Sequence, residues 1–338
     1  MRRLFSALLV CLMLCGCAPK PQEKQYNATF LDLFDTVTTV VGKAGSEEAF
    51  REKAQAVHDA LLRYHQLFDI YNEYEGLNNL KTVNDQAGIA PVAVDPEILQ
   101  LLSDCKDYYA LTGGRVNVAM GSVLNLWHEA REAGTQDPLH AALPDENALT
   151  QAAVHTDPEA IQLDREAGTV FLTDPDLRLD VGAVAKGWAV QRISSQVSPD
   201  LLISVGGNVC ATGPKDSQGT PWVVGVQNPD GGEQYLHTLY LENGSVVTSG
   251  DYQRTYVVDG TAYHHIIDPD TLYPAAYWRS VSILCSDSGL ADALSTALFL
   301  LPQDQGQAIL DKAGAEAMWV DAQGRCFYSP GFQAFIRT

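Results

Sequence analysis

The order of elements along this chain predicts an α+β fold. Strand-like runs follow one another in groups with helical runs interspersed, and the strict strand–helix–strand alternation of a doubly wound sheet is missing. About 310 residues follow residue 26, enough for one large domain or two closely joined lobes, and no internal repeat or low-complexity block interrupts them.

Residues 36–42 (TVTTVVG) are β-branched and predict a strand. Residues 47–70 carry Phe50, Ala54, Val57, Leu61 and Leu62 at helical spacing and predict a helix. Asp95-Pro96 opens the next helix, with Asp95 as N-cap and Pro96 in the first turn. That helix continues through Ile98, Leu101, Leu102 and Cys105 to about residue 111, where Gly113-Gly114 stops it. IQLDREAGTVFL, within residues 158–179, predicts two short paired strands turning at Ala167-Gly168. LDVGAVAKG (179–187) reads as a strand ending at Asp180, a glycine turn, and Lys186 in the first turn of a helix over 184–197. Strands are expected over 201–205, 222–227, 235–241, 255–258 and 281–284, with a glycine-rich turn in SVGGNVCATG after the first. Helices over 291–301 and 305–313 and a strand over 317–320 complete the order.

The first 17 residues read as a lipoprotein signal peptide. Met1-Arg2-Arg3 is basic, residues 4–14 are almost wholly apolar, and Leu14-Cys15-Gly16-Cys17 has the form of a lipobox with Cys17 as the lipidated residue. A plain signal peptide cut near the same place is the alternative. Residues 18–26 are polar, with two prolines, and read as a tether to a domain over 27–338. This arrangement places the domain on the extracytoplasmic face of a bacterial cell membrane, held by its lipid alone. The net charge of −20 argues against binding nucleic acid or anionic lipid by electrostatics, so a phosphate ligand needs a local device. Of seven cysteines, Cys105, Cys210, Cys285 and Cys326 remain after the leader, without C-x-x-C spacing, which argues against zinc. Cys210 and Cys285 lie in apolar runs and read as small buried hydrophobes.

The chemistry concentrates late in the chain. His264-His265 stand before Ile266-Ile267-Asp268-Pro269, whose Asp-Pro turn leaves the pair at a strand end, one expected inward and one outward. In ADALSTAL, Asp292 and Thr296 lie four apart on one face of an apolar helix, where a buried carboxylate must be paired or hold a metal. A histidine for proton transfer beside oxygen ligands for a hard cation suits phosphoryl or nucleotidyl chemistry. The loop before Lys186 resembles a phosphate approach but lacks Walker A spacing, and an ordinary turn with a solvated lysine fits the motif equally.

Taken together, LDVGAVAKG, SVGGNV, VVTSGDY, HHIIDPDTLYP and ADALSTAL resemble the FAD:protein FMN transferases of the ApbE family. The likeness spans nearly all of the mature chain, from LFDTVTTVV through LFDIYNEYEGLNNLKTVN and GGRVNVAMGSVLNLW. It implies two intimately joined subdomains with FAD in the cleft between them. It also implies a magnesium-dependent cleavage of FAD that places FMN on a Thr or Ser of an exported or membrane flavoprotein and releases AMP. Carried onto this chain, the metal ligands are Ala183 through its carbonyl, Asp292 and Thr296. The flavin-nucleotide contacts are Phe34, Tyr71, Arg115, Val116, Asn117, Asp180, Lys186 and His265, and His265 is the base. Two departures stand out: Val116-Asn117 replaces the usual Phe-Asp, and Leu272-Tyr273-Pro274 replaces a Gly-rich turn. An FAD pyrophosphatase with the same site and a non-catalytic flavin-binding lipoprotein are the rival readings.

Overall fold

The structure, a computed structural model, describes residues 23–232 and 234–338. The leader, the lipobox and Cys17 lie outside these residues. In chain order the elements begin with β1 (Lys24–Leu33), β2 (Thr36–Ala44), α1 (Glu47–Phe68), α2 (Leu80–Asp85), β3 (Val92–Ala93) and α3 (Pro96–Leu111). Then come α4 (Gly121–Gln136), α5 (Glu146–Ala153), β4 (Ile161–Asp164), β5 (Thr169–Leu172), α6 (Ala185–Ser194), β6 (Leu201–Val205), β7 (Asn208–Ala211), β8 (Trp222–Gln227) and β9 (Tyr235–Leu241). The chain closes with β10 (Gly244–Gly250), β11 (Tyr256–Val258), β12 (Thr261–Tyr263), β13 (Ser280–Cys285), α7 (Ser288–Phe299), α8 (Gln303–Ala313), β14 (Glu316–Val320) and β15 (Cys326–Tyr328).

Eight strands in the order β1-β2-β6-β7-β10-β13-β14-β15 form one sheet. Every neighbouring pair in it is antiparallel. Side chains alternate across a strand, so the sheet supplies two cores. Val40, Ile203, Val247 and Ile283 face the helical side, where they pack with Leu61, Val190, Leu294 and Leu298 of α1, α6 and α7. Val246, Leu284 and Met318 face the other side, beneath Trp222 and Leu239 of the β8–β9 hairpin. A third, smaller core joins Met120, Val123 and Trp127 at α4 to Tyr256 and Ile267. The cavity described below opens between this smaller unit and the body formed by the sheet and α7.

Local chemistry explains the element ends. Ser46 caps α1, its hydroxyl accepting the Ala49 amide at 3.2 Å, and the stripe Phe50, Ala54, Val57, Leu61, Tyr64, Leu67 and Phe68 is buried. Asp95 and Pro96 start α3 as expected. Gly206-Gly207, both with positive φ (54° and 91°), make the two-residue turn that pairs Val205 with Asn208.

Three expectations change. β1 begins at Lys24, inside the polar segment assigned as tether, and residues 24–26 pair with Ala44, Lys43 and Gly42. Stacking of Tyr26 on Phe50 (5.7 Å) holds that end down. Residues 179–180 are no strand. They are extended chain whose amides are taken by Asn84 Oδ1 and the Val118 carbonyl, not by a sheet partner. The helix α4 was not anticipated at all, although its residues recur at helical spacing. All four described cysteines are free; Cys105 and Cys210 are buried and Cys285 only partly so.

Candidate active site

The N-terminus of α6 is the starting point. Its N-cap residue, Val184, has no side chain able to cap, so the first amides of the helix need another acceptor. Asp292, from α7, supplies it: its Oδ2 accepts the Gly187 amide at 2.8 Å. The two helices meet this closely because position 187 is glycine. A Cβ there would stand 2.5 Å from Asp292 Cβ and hard against the Ser288 carbonyl. Asp292 is 4 % exposed, and burial raises its pKa above the ordinary aspartate value against the opposing pull of Lys186 and the Gly187 amide. Lys186 Nζ lies 3.5 Å from Asp292 Oδ2 and donates to the Gly182 carbonyl at 3.1 Å. Thr296, one turn after Asp292, and Ala183, in the turn before α6, line the same cavity.

The second wall carries the histidine pair. His264 Nε2 donates to the Ala275 carbonyl at 2.8 Å, its Nδ1 accepts the Ile266 amide, and its ring packs edge-on against Phe299. It serves the fold, and neither histidine points outward as strand alternation implied. Their position just past β12, in irregular chain, explains the difference. His265 Nδ1 donates to the Gln253 carbonyl at 3.1 Å. That bond fixes the tautomer and leaves Nε2 as a lone-pair acceptor on a residue lining the cavity. Burial, then the charges of Arg254, His264 and Lys186, push the His265 pKa down to about 3. The ordinary histidine value is 6.5, so this imidazole is neutral throughout the physiological range.

Of the sequence-derived site residues, Tyr71, Arg115, Val116, Asn117, Asp180, Ala183, Lys186, His265, Asp292 and Thr296 share this one cavity. Phe34 does not line it. It sits on an adjoining hollow that shares Tyr71, Asp180, Lys186 and Arg254. There Phe34 and Asp35 form the β1–β2 turn with positive φ at both (52° and 50°), and the Phe34 amide donates to His65 Nδ1. A phenylalanine held left-handed at a cavity rim is strained. Three of the other sequence-derived residues are engaged by the protein itself. Arg115 is bound to Asp268 at 3.3 Å and to Asp270 at 2.6 Å, so its charge braces the turn after the histidines. Asn117 spends its side chain on the Thr156 carbonyl and the Ala119 amide. Asp180 accepts the Gly182 amide and holds the turn before α6.

The model of a family described as the ApbE family matches residues 34–319. The chain belongs to the ApbE family. It is 32% identical over 363 residues to the FAD:protein FMN transferase of Treponema pallidum (strain Nichols), covering 98% of this chain and 94% of that protein. The FAD:protein FMN transferase of Klebsiella pneumoniae (strain 342) is 27% identical over 350 residues, covering 98% and 97%. Among solved structures, the ApbE protein of Thermotoga maritima superposes with a TM-score of 0.82 at 29% identity, over 93% of this chain and all (100%) of that one. The flavin transferase ApbE from Vibrio cholerae shares the fold, with a TM-score of 0.75 at 21% identity over 93% and 100% of the two chains.

Several residues lining the cavity of this ApbE chain were not singled out from sequence. Trp127, His128 and Arg131 come from α4, and His128 lies against Tyr71 with ring centres 5.2 Å apart. Asn208, from the SVGGNV turn, is buried and accepts from Ser288. Arg254 comes from the loop after β10, three residues beyond the SGD of VVTSGDY. The spacing of Val123, Leu124, Trp127 and Arg131 was the available signal for α4. A separate His155–Asp174–Asp176 group is accounted for by the His155 Nδ1–Asp174 hydrogen bond (2.8 Å) and does not line this cavity.

Proposed function

We propose that this protein is a magnesium-dependent flavin transferase that cleaves FAD and attaches FMN through a phosphoester to a Thr or Ser of a target flavoprotein, releasing AMP. The observation that carries the reading is the convergence of His265, with Nε2 left free by the Nδ1–Gln253 bond, and the Asp292–Lys186–Ala183–Thr296 group on one cavity. The acceptor hydroxyl attacks the FMN-side phosphorus, the bond from that phosphorus to the AMP phosphate breaks, and the hydroxyl proton passes to His265 Nε2. A neutral imidazole is the competent form, and the approach of anionic phosphates would raise its basicity from the depressed value of the free protein.

Magnesium fits the residues present. Asp292, Thr296 and the Ala183 carbonyl offer hard oxygen donors, and among the described residues the buried carboxylate has only a lysine at 3.5 Å as its counter-charge. When bound, the ion would neutralise diphosphate charge and favour departure of AMP. Lys186 would add a point charge to the phosphates, and Tyr71 with His128 offers a ring surface for a planar heterocycle. A lipid anchor at Cys17 would place this activity on the extracytoplasmic face of the membrane, beside exported or membrane flavoproteins.

The test is nucleotide analysis after incubation with FAD, with and without magnesium and an acceptor domain. AMP release that needs both, and that stops when the acceptor hydroxyl residue is replaced by alanine, is the expected result. AMP with free FMN, whether or not the acceptor is present, would make the protein a pyrophosphatase. FAD bound and unchanged would make it a carrier.

A further inference from the structure

The charge of the cavity is opposite to that of the chain. Among the described residues, Arg115, Arg131, Lys186 and Arg254 line it against only Asp180 and Asp292, in a protein of net charge −20. Two of the four cations are neutralised in place: Arg115 by Asp268 and Asp270, and Lys186 by Asp292. Arg131 and Arg254 are not. Among the described residues no carboxylate comes within ion-pair distance of either guanidinium, although both lie in an acidic protein that pairs many of its other arginines.

The pair is also held at a cost. Arg131 is half-buried on α4, where its Nη2 donates to His128 Nδ1 at 2.8 Å. Burial, and then the like charge of Arg254, hold its pKa below the ordinary arginine value, against a smaller electrostatic pull from the neighbouring Glu132, Tyr71 and Tyr256. Arg254 takes φ 48°, a left-handed conformation that a non-glycine residue adopts at a penalty. The residue before it, Gln253, is the one whose carbonyl fixes the His265 tautomer. Two cations lining one cavity without a carboxylate partner among the described residues, one on a strained backbone, are unfavourable until an anion enters that cavity.

We infer that Arg131 and Arg254 form a second anion locus in the cavity, distinct from the Lys186–Asp292 locus, and that it takes a phosphate group. A guanidinium presents a fork of donors that matches phosphate oxygens in pairs. The inference rests on the reading that the cavity takes FAD, whose anionic groups are its two phosphates. After cleavage one phosphate belongs to FMN and the other to AMP, and the chemistry at the arginines is the same for either.

Equilibrium binding separates the two sources. AMP against adenosine, and FMN against riboflavin, are titrated into residues 18–338 carrying R131Q with R254Q, or R131K with R254K, beside the wild type. The glutamine variant is expected to weaken one phosphorylated ligand about 10–100-fold, the range for lost charge-assisted hydrogen bonds. Adenosine and riboflavin should stay within about twofold, and the lysine variant should recover part of the loss because it keeps the charge without the fork. A loss confined to AMP places the leaving phosphate at the arginines, and one confined to FMN places the transferred phosphate there. If AMP and FMN both bind the glutamine variant as they bind the wild type, or if adenosine and riboflavin weaken equally, the locus does not exist. Should the wild type bind FAD and transfer FMN while the variant binds unchanged, this inference alone falls. Should the wild type bind none of the ligands, the flavin reading falls with it.

Discussion

At the scale of single residues, the fold holds two side chains of the cavity in costly states. Asp292 is buried with its pKa raised, and a charged carboxylate there is tolerated because it caps α6 and faces Lys186. Asp292→Asn keeps an acceptor for the Gly187 amide and removes the charge. It should abolish magnesium-dependent turnover while raising the melting midpoint of the metal-free protein at neutral pH. A lowered midpoint would show that the pair with Lys186 outweighs the desolvation penalty. His265 has the opposite shift, folded at about 3 against 6.5 for an exposed histidine, so the unfolded chain takes up this proton first as pH falls. Its contribution to stability is complete above about pH 6.5 and drains away toward pH 3. His265→Asn should therefore lose less thermal stability than wild type between about pH 7 and pH 5, and should slow transfer at least about 100-fold with FAD affinity kept. Parallel pH curves, or an unchanged rate, would remove His265 as the neutral base. Asp292, Thr296, Lys186 and His265 were legible because each is marked by a short-range pattern: a charge on an apolar helix, a lysine after a glycine turn, a histidine before Asp-Pro. Arg131 and Arg254 were not, since their meaning lies in the absence of a partner, which only the assembled fold displays.

At the scale of elements, the site depends on how closely α6 and α7 approach. Gly187 is the contact point, and Gly187→Ala would drive a methyl group against the Ser288 carbonyl and Asp292 Cβ. Overpacking of this kind costs about 1–3 kcal/mol. The variant is expected to show that loss in denaturant unfolding together with weakened magnesium dependence, because the same displacement moves Asp292. A variant with wild-type stability would mean that the helices can separate without penalty. Most elements were visible beforehand: the α1 stripe, the Asp95-Pro96 start and the strands at 201–205, 222–227 and 235–241 all carry dense local signals. α4 escaped because its periodic residues follow directly on the glycines and loop of residues 113–120. β1 escaped because Lys24, Gln25 and Asn27 are polar. Its ladder with β2, and the packing of Tyr26 and Phe30 on Phe50 and His58, make it a strand. The pairing of distant segments into one antiparallel sheet, and the cavity that results, could not be read from local patterns.

At the scale of the whole molecule, an acidic body surrounds a cationic cavity, so anionic ligands are drawn to one place and repelled elsewhere. Among the described residues no helix is long and apolar enough to cross a membrane. The proposed attachment is a lipid on Cys17, ahead of the strand that begins at Lys24. Cys17→Ser is expected to move the protein from the membrane fraction to the soluble fraction of expressing cells, and retention in the membrane would argue against lipidation. The proposed covalent transfer is read directly in the mass of the acceptor. An FMN-domain acceptor is incubated with residues 18–338, FAD and magnesium, and its intact mass is determined. A mass increase of one FMN less one water on a Thr or Ser is expected, absent without magnesium and absent with Asp292→Asn. An acceptor of unchanged mass, in a mixture where FAD has been converted to FMN and AMP, would contradict that transfer.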